Sequence, residues 1–103
     1  MTTTTNFEIS KKLAEIGFSR QAFWVWTSKG CCCPFETYLD GFRAYDLETL
    51  LDALPKNYLV KNDWLECFLN RDFNGTKRLE NESLADTAGR LIIKLHEKNL
   101  IKF

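Results

Sequence analysis

Four cysteines and one histidine are the side chains best suited to metal binding or nucleophilic attack. Cys31, Cys32 and Cys33 are consecutive, whereas Cys67 and His96 each stand alone. A structural zinc site usually takes two closely spaced ligand pairs, and the second pair is missing here. In a strand, Cys31 and Cys33 point one way and Cys32 the other, so the three thiolates do not converge. A Cys31, Cys33, Cys67 and His96 site is conceivable, but reduced thiols acting as small hydrophobic residues are favoured.

Nucleophilic catalysis by cysteine would also need a base and an orienting group. His96 lies at the edge of the apolar stripe of a predicted helix, where a structural role is favoured. Asn74–Lys77 contains one glycine and is typical of a hairpin turn rather than a phosphate-binding loop. We therefore predict no enzymatic activity, no catalytic residue, no cofactor and no metal ion.

The size and charge of the chain narrow the remaining function classes. Its 103 residues and 12.0 kDa predict a single compact domain over residues 1–103. Lys plus Arg number 14 and Asp plus Glu number 14, a balance that makes direct nucleic-acid binding the less favoured function. The chain contains no apolar run long enough for a membrane span, and its polar start does not resemble a signal peptide. These features predict a cytoplasmic protein, in the host cell cytoplasm if it is phage-encoded.

Caps and apolar spacing predict three helices. The first runs from about Phe7 to Ile16, with Thr5 or Asn6 as its cap and Gly17 after its end. The other two follow the same rules. They are predicted from the cap Asp46 to Leu54, before Pro55, and from Leu84 to Lys98, after the cap Ser83.

Aromatic and β-branched runs predict the strands. Residues 22–27 form the first, residues 28–30 a hairpin loop, and a return strand begins at Cys31, with Pro34 favouring either an edge position or a bulge. Phe35 to Arg43 is predicted to be a loop or a short extended segment. Strands at 58–60 and from Trp64 to Phe73 follow, and Asn74-Gly75 then predicts a type I′ turn into 76–80. The expected fold is α+β, with an antiparallel sheet of four to five strands and three helices in the order α-β-β-α-β-β-β-α.

Aromatic residues lie on both faces of the predicted strands. Phe23 and Val25 share one face of the first strand, whereas Trp24 and Trp26 share the other with Ala22. In the later strand, Leu65, Cys67 and Leu69 form the expected core face, and Trp64 and Phe68 lie opposite it. If helices cover both faces of the sheet, every ring belongs to the core; if one face is open, its rings form an interaction surface.

Three alternatives follow for function, in order of preference. The first is stoichiometric binding to a host protein or ribonucleoprotein complex through aromatic residues with an acidic rim: Trp24, Trp26, Phe35, Tyr38, Glu36, Asp40 and Asp52. The second is a single-stranded nucleic-acid or guide-RNA binding module that uses Trp64, Phe68, Arg71, Lys77 and Arg78. The third is a structural or regulatory homodimer closed by the open sheet face.

Three segments carry a family resemblance. Asn6–Phe18, Ala44–Pro55 and the closing helix from Ser83 to about Ile101 resemble small proteins of bacterial phages and prophages, notably of Bacteroidetes. These segments cover about half of the chain and consist of caps and helix stripes, so no functional residue is carried over. The resemblance implies a binding protein, and inhibitors of bacterial defence nucleases, including anti-CRISPR proteins, are one such class.

Overall fold

A computed structural model describes residues 4–27, 32–34, 41–54, 58–61, 64–69 and 72–101. These residues form an α+β fold with three helices and two small antiparallel sheets. The elements in chain order are α1 Phe7–Glu15, β1 Trp24–Trp26, β2 Cys32–Pro34, β3 Phe42–Ala44, α2 Leu47–Ala53, β4 Tyr58–Lys61, β5 Trp64–Leu69, β6 Asp72–Lys77 and α3 Leu84–Glu97.

The three predicted helices are confirmed, together with their caps. Each N-cap side chain accepts a backbone N–H three residues further on: Asn6 from Ile9, Asp46 from Thr49, and Ser83 from Asp86. Each cap satisfies a donor that has no partner within its helix. After α1, Gly17 adopts a φ of +87°, and after α3, Asn99 adopts a φ of +58°. Both residues therefore end their helices in the left-handed conformation.

The first sheet has the strand order β2-β1-β3, with antiparallel pairing throughout. Val25 pairs with Cys33 on one side and with Arg43 on the other. The edge position predicted for the strand containing Pro34 is confirmed, because β2 is an outer strand. The segment from Phe35 to Arg43, predicted to be a loop or short extended piece, supplies the start of β3.

The second sheet has the strand order β4-β5-β6 and corrects the prediction of one sheet with four to five strands. The described strands divide into two sheets of three, so the order is α-β-β-β-α-β-β-β-α. The predicted long strand from Trp64 to Phe73 is wrong, because β5 ends at Leu69 and Phe73 belongs to β6, which pairs antiparallel with β5.

The type I′ turn predicted at Asn74-Gly75 is also wrong. Both residues lie inside β6, where Asn74 pairs with Cys67 and Gly75 with Glu66. The described glycines with positive φ are Gly17 and Gly41, so Gly75 does not use the conformation that such a turn requires. Tertiary packing explains the difference, because Asn74 is only 5% exposed and the ring of Trp64 lies against Gly75.

Helix α3 lies at the centre of the hydrophobic core. It contacts α1, α2, β5 and β6, and nine of its residues are buried. The principal buried cluster also takes residues from α1, from α2 and from the second sheet, including Leu13, Leu50 and Leu65. Within the described part of the chain, no helix has the length and apolar character needed to span a membrane.

Candidate binding surfaces

Trp26, a predicted partner-binding residue, takes part in the packing of α1 on the first sheet. Its indole Nε1–H donates a 2.8 Å hydrogen bond to the backbone carbonyl of Thr5. Its ring meets Phe7 edge-to-face at 6.2 Å, and Phe7 meets Phe42 at 5.7 Å. Thr5 is fully buried and also exchanges hydrogen bonds with Tyr45. Trp26 therefore joins the start of the chain to the first sheet.

Trp24 and Phe23 form an aromatic pair at the start of β1, and this pair is called the Phe23 patch below. Their rings meet edge-to-face, with centroids 5.3 Å apart. Phe23 is 68% exposed, whereas Trp24 is partly buried beside it. The prediction that Phe23 shares the face of Val25 does not describe this geometry. Val25 is buried at 1% exposure, and Phe23 precedes the strand, so the alternation of strand faces does not reach it.

Two arginines belong to or contact the segment that precedes the Phe23 patch in sequence. Arg20 lies three residues before Phe23, and its guanidinium lies 5.7 Å from the centre of the Phe18 ring. Arg43 Nη1 donates hydrogen bonds to the Ser19 hydroxyl and to the Arg20 carbonyl. The segment that leads into β1 is therefore held by a cation on β3.

Most of the predicted acidic rim lies elsewhere or outside the described residues. Asp52 is exposed on α2. Phe35, Glu36, Tyr38, Asp40 and the nucleic-acid candidate Arg71 lie outside the described residues. Their predicted roles therefore remain predictions.

Trp64 provides a second exposed aromatic surface, on the face of the second sheet opposite Leu65. Its indole Nε1–H donates a 2.7 Å hydrogen bond to Oε2 of Glu66. A Cβ built on Gly75 would lie 2.5 Å from Cζ2 and 2.9 Å from Cε2 of Trp64, so the ring rests against the glycine backbone. Trp64 is 39% exposed, and its cross-strand partner Lys77 is also exposed. Within the nucleic-acid set, the structure pairs Trp64 with Lys77, and the exposed Arg78 follows Lys77 in sequence. For Phe68 it describes only the backbone position in β5.

Two cations of α3 bind the backbone of the edge strand β6. Lys94 Nζ donates to the carbonyl of Gly75 at 2.8 Å, and Arg90 Nη2 donates to the carbonyl of Lys77 at 2.7 Å. Arg90, Lys94 and the exposed Lys12 of α1 line a shallow cleft of about 240 Å³ beside this strand. The wall also includes Glu97. This cleft is called the β6 cation cleft below.

The guanidinium of Arg90 is held by Glu82. Its Nε donates to Oε2 and its Nη2 to Oε1, both at 2.7 Å, which is a bidentate ion pair. Burial alone would raise the pKa of Glu82, but hydrogen bonds from Arg90, Thr87 and the backbone of Leu79 outweigh it and leave that pKa below its ordinary value. The hydrogen bond to Glu82 in turn raises the pKa of Arg90. Both groups are therefore charged at neutral pH, and the pair orients Arg90 towards β6.

The thiol chemistry considered from the sequence lies largely outside the described side chains. Cys31 lies outside the described residues, and for Cys32, Cys33 and Cys67 the structure gives strand positions alone. His96 is partly buried near the end of α3. Among the residues that the structure describes, no group of three or more His, Cys, Asp or Glu side chains is arranged to hold a metal ion.

Sequence reasoning missed several residues of these two surfaces, among them Phe23, Glu66, Gly75 and Lys12, and the α3 cations Arg90 and Lys94. Phe23 was assigned to the face of Val25 because the strand was predicted to begin two residues too early. The spacing Trp64-Leu65-Glu66 does carry a signal, since residues i and i+2 of a strand share a face. Lys12 carries no such signal, because its position beside Lys94 depends on the packing of α1 against α3.

Comparison of the chain with protein-family models, curated proteins and solved structures gives no match. The resemblance to phage proteins therefore remains a prediction. The arguments for function below rest on the geometry of the Phe23 patch and of the second sheet.

Proposed function

We propose that this chain is a non-enzymatic protein that acts by stoichiometric binding to a partner protein through the Phe23 patch. The observation that carries the proposal is the 68% exposure of Phe23, whose ring is supported by the partly buried Trp24. Aromatic residues are enriched among the side chains that dominate protein interfaces. A supported ring also loses little conformational freedom when a partner covers it.

The surroundings of the patch favour an interface with an acidic component. Arg20 is exposed and lies within the segment that enters β1, and Arg43 supports that segment from β3. Arginine next to an exposed aromatic ring is a common combination in binding surfaces. A partner with carboxylates around an apolar pocket would complement both groups.

The narrower proposal concerns the class of partner. The resemblance to small phage and prophage proteins favours a host protein or ribonucleoprotein complex, such as a bacterial defence nuclease that the chain would inhibit. This part of the proposal depends on the resemblance alone. It is tested separately, by measuring whether the purified chain inhibits cleavage by the captured complex.

The test compares two exposed apolar side chains in the same protein. Phe23 is 68% exposed and Leu79 is 58% exposed, but Leu79 lies in the segment between β6 and α3. The tagged wild type, Phe23→Ala and Leu79→Ala are used to capture partners from a bacterial lysate with and without nuclease treatment. Captured proteins are identified by mass spectrometry, and the complex with a purified partner is measured by light scattering.

The proposal expects the wild type to capture a partner protein even after nuclease treatment. Phe23→Ala should no longer capture this partner, whereas Leu79→Ala should still capture it. The purified complex should have a fixed stoichiometry. Both substitutions should leave the circular dichroism spectrum unchanged, because both side chains are exposed. Equal capture by the two variants would contradict a role for Phe23. A wild-type chain that is dimeric by light scattering, with a dimer that Phe23→Ala dissociates, would assign the patch to self-association instead.

A further inference from the structure

The second sheet carries an exposed tryptophan whose orientation is set by its neighbours. The Glu66 carboxylate accepts the indole Nε1–H at 2.7 Å, and the benzene part of the ring rests on Gly75. A glycine inside a strand weakens it, since it contributes no side chain to packing. At this position only glycine leaves room for the indole, because an added Cβ would overlap the ring. The outer side of the ring is therefore available to a flat ligand.

Positive charge surrounds the same strand. Lys77 pairs across the sheet with Trp64, and Arg78 follows it at the surface. On the other side of β6 lies the β6 cation cleft, with Lys12, Arg90 and Lys94. The carboxylates that the structure describes near β6 include those of Glu66, Glu80, Glu82 and Glu97, and Asp72 is the first residue of the strand. Glu82 forms an ion pair with Arg90, and Glu66 keeps its charge while it accepts from the neutral indole of Trp64, so the cations that can meet phosphates are chiefly the lysines Lys12, Lys77 and Lys94.

We propose that this region binds single-stranded nucleic acid, with a base stacked on Trp64 and the neighbouring phosphates at Lys77 and the β6 cation cleft. The ring and the cleft lie on opposite faces of the outer strand β6, because Lys77 pairs with Trp64 whereas Thr76, the partner of the buried Leu65, lines the cleft. The bound strand would therefore pass around the edge of the sheet. This site differs from the Phe23 patch in both place and ligand class. Zero net charge of the whole chain does not oppose it, since what a bound strand meets is the local arrangement of charge.

A single strand fits this arrangement better than a duplex or a protein. Stacking on an exposed aromatic ring requires an unpaired base, and a cationic groove beside the ring follows the backbone. Duplex DNA would offer no free base face to Trp64. The strand register also places Leu59, Lys61, Phe68 and Phe73 at positions on this face, so the preference for a nucleic acid over a protein rests on the cations at Lys77 and in the β6 cation cleft.

The experiment measures fluorescence anisotropy of labelled oligothymidine and oligouridine at increasing salt concentration. Trp64→Leu is expected to weaken binding by about 5- to 150-fold, the range for loss of one stacked base, whereas Trp64→Phe retains most of the affinity. Lys77→Gln and Lys12→Gln are each expected to reduce the slope of log K against log salt by about 0.7. Lys11→Gln is the matched control, because Lys11 is exposed on α1 beside Lys12 but does not line the cleft.

Absence of binding at low salt would overturn the proposal, and so would equal losses for Lys11→Gln and Lys12→Gln. Unchanged affinity of a folded Trp64→Leu variant would also overturn it. If Trp64→Leu does not fold, the test is whether Lys77→Gln and Lys12→Gln reduce the salt slope more than the control Lys11→Gln does.

Phe23→Ala is expected to bind the oligonucleotide normally. The nucleic-acid proposal and the proposed protein partner can therefore fail independently of each other. If no oligonucleotide binds but a captured protein does, and Trp64→Leu abolishes the binding of that protein, this face has a protein ligand and the proposal is contradicted.

Discussion

The backbone N–H of Asn6 donates a 2.6 Å hydrogen bond to Oδ1 of Asp86, which lies 80 residues later in the chain. Asn6 is the N-cap of α1, and Asp86 lies in the first turn of α3. One carboxylate therefore serves the N-termini of two helices, where the helix dipoles favour negative charge. Its own backbone N–H is bound by Ser83, which completes the start of α3.

Asp86 is expected to give the protein a component of stability that decreases as pH rises. Burial raises the pKa of Asp86 above its ordinary value of 3.8, and the hydrogen bond from Asn6 opposes this rise only in part. Between the ordinary and the raised pKa, the folded state binds more protons than the unfolded state, so increasing pH favours unfolding. Asp86→Asn should lack this component, which urea unfolding monitored by tryptophan fluorescence at a series of pH values would detect.

Asp86→Ala serves as the comparison for that measurement. It removes the acceptor of the Asn6 N–H as well as the charge, so it should lower the free energy of unfolding by about 1–2 kcal/mol at neutral pH. An Asp86→Asn variant with the same pH profile as the wild type would show that Asp86 does not carry the effect.

Gly89→Ala is expected to destabilise the protein although alanine is the better helix former. A Cβ at Gly89 would lie 2.5 Å from Cγ2 of Ile9, at the contact between α1 and α3. Overpacking of this kind costs about 1–3 kcal/mol, which exceeds the gain of about 1 kcal/mol in helix propensity. Thermal unfolding would measure the loss. Adding Ile9→Ala to Gly89→Ala should recover part of it, and an equally unstable double variant would contradict the proposed contact.

Local signals predicted the helices because helix ends depend on residues close in sequence. Asp46 and Ser83 each accept a backbone N–H three residues further on, so a short stretch of sequence contains both the cap and its partner. The Asn6–Asp86 hydrogen bond has no such signal, since it depends on the packing of α1 against α3. Ser83 and Asp86 have the spacing of a capping box, but the carboxylate of Asp86 accepts the N–H of Asn6 at the start of α1.

The strand predictions failed where distant residues decide the conformation. Asn74-Gly75 is a strong local signal for a turn, yet the ring of Trp64 occupies the space that Gly75 leaves. The environments of the aromatic candidates Trp26 and Phe23 also could not be predicted from the alternation of strand faces. Trp26 donates to Thr5, a partner 21 residues away in sequence, and this contact could not be predicted from strand alternation. Phe23 is exposed because the strand begins after it.

Trp26→Phe is expected to lower the free energy of unfolding by about 1 kcal/mol, because the buried Thr5 carbonyl loses the shorter of its two hydrogen bonds and keeps the one from the Ser10 hydroxyl. Trp26→Ala removes the contact with Phe7 as well and should cost about 3–5 kcal/mol. Chemical denaturation measures both values. Phe23→Ala is the control and should change stability little, since Phe23 is exposed. A fully stable Trp26→Ala variant would contradict the structural role and leave Trp26 available for partner binding.

The Glu82–Arg90 pair is expected to produce the opposite pH dependence to Asp86. The folded-state pKa of Glu82 lies below the ordinary value of 4.5, so the stability it provides is present above that value and is lost as pH falls through the lowered pKa. Glu82→Gln should lack this loss, and should be less stable at neutral pH by about 2 kcal/mol because Arg90 keeps only its contacts with β6. Urea unfolding between acidic and neutral pH measures both effects.

Glu80→Gln is the control for this measurement. It removes an exposed carboxylate two residues away and should leave the free energy of unfolding nearly unchanged. Equal behaviour of the two variants would show that the ion pair does not hold α3 against the second sheet.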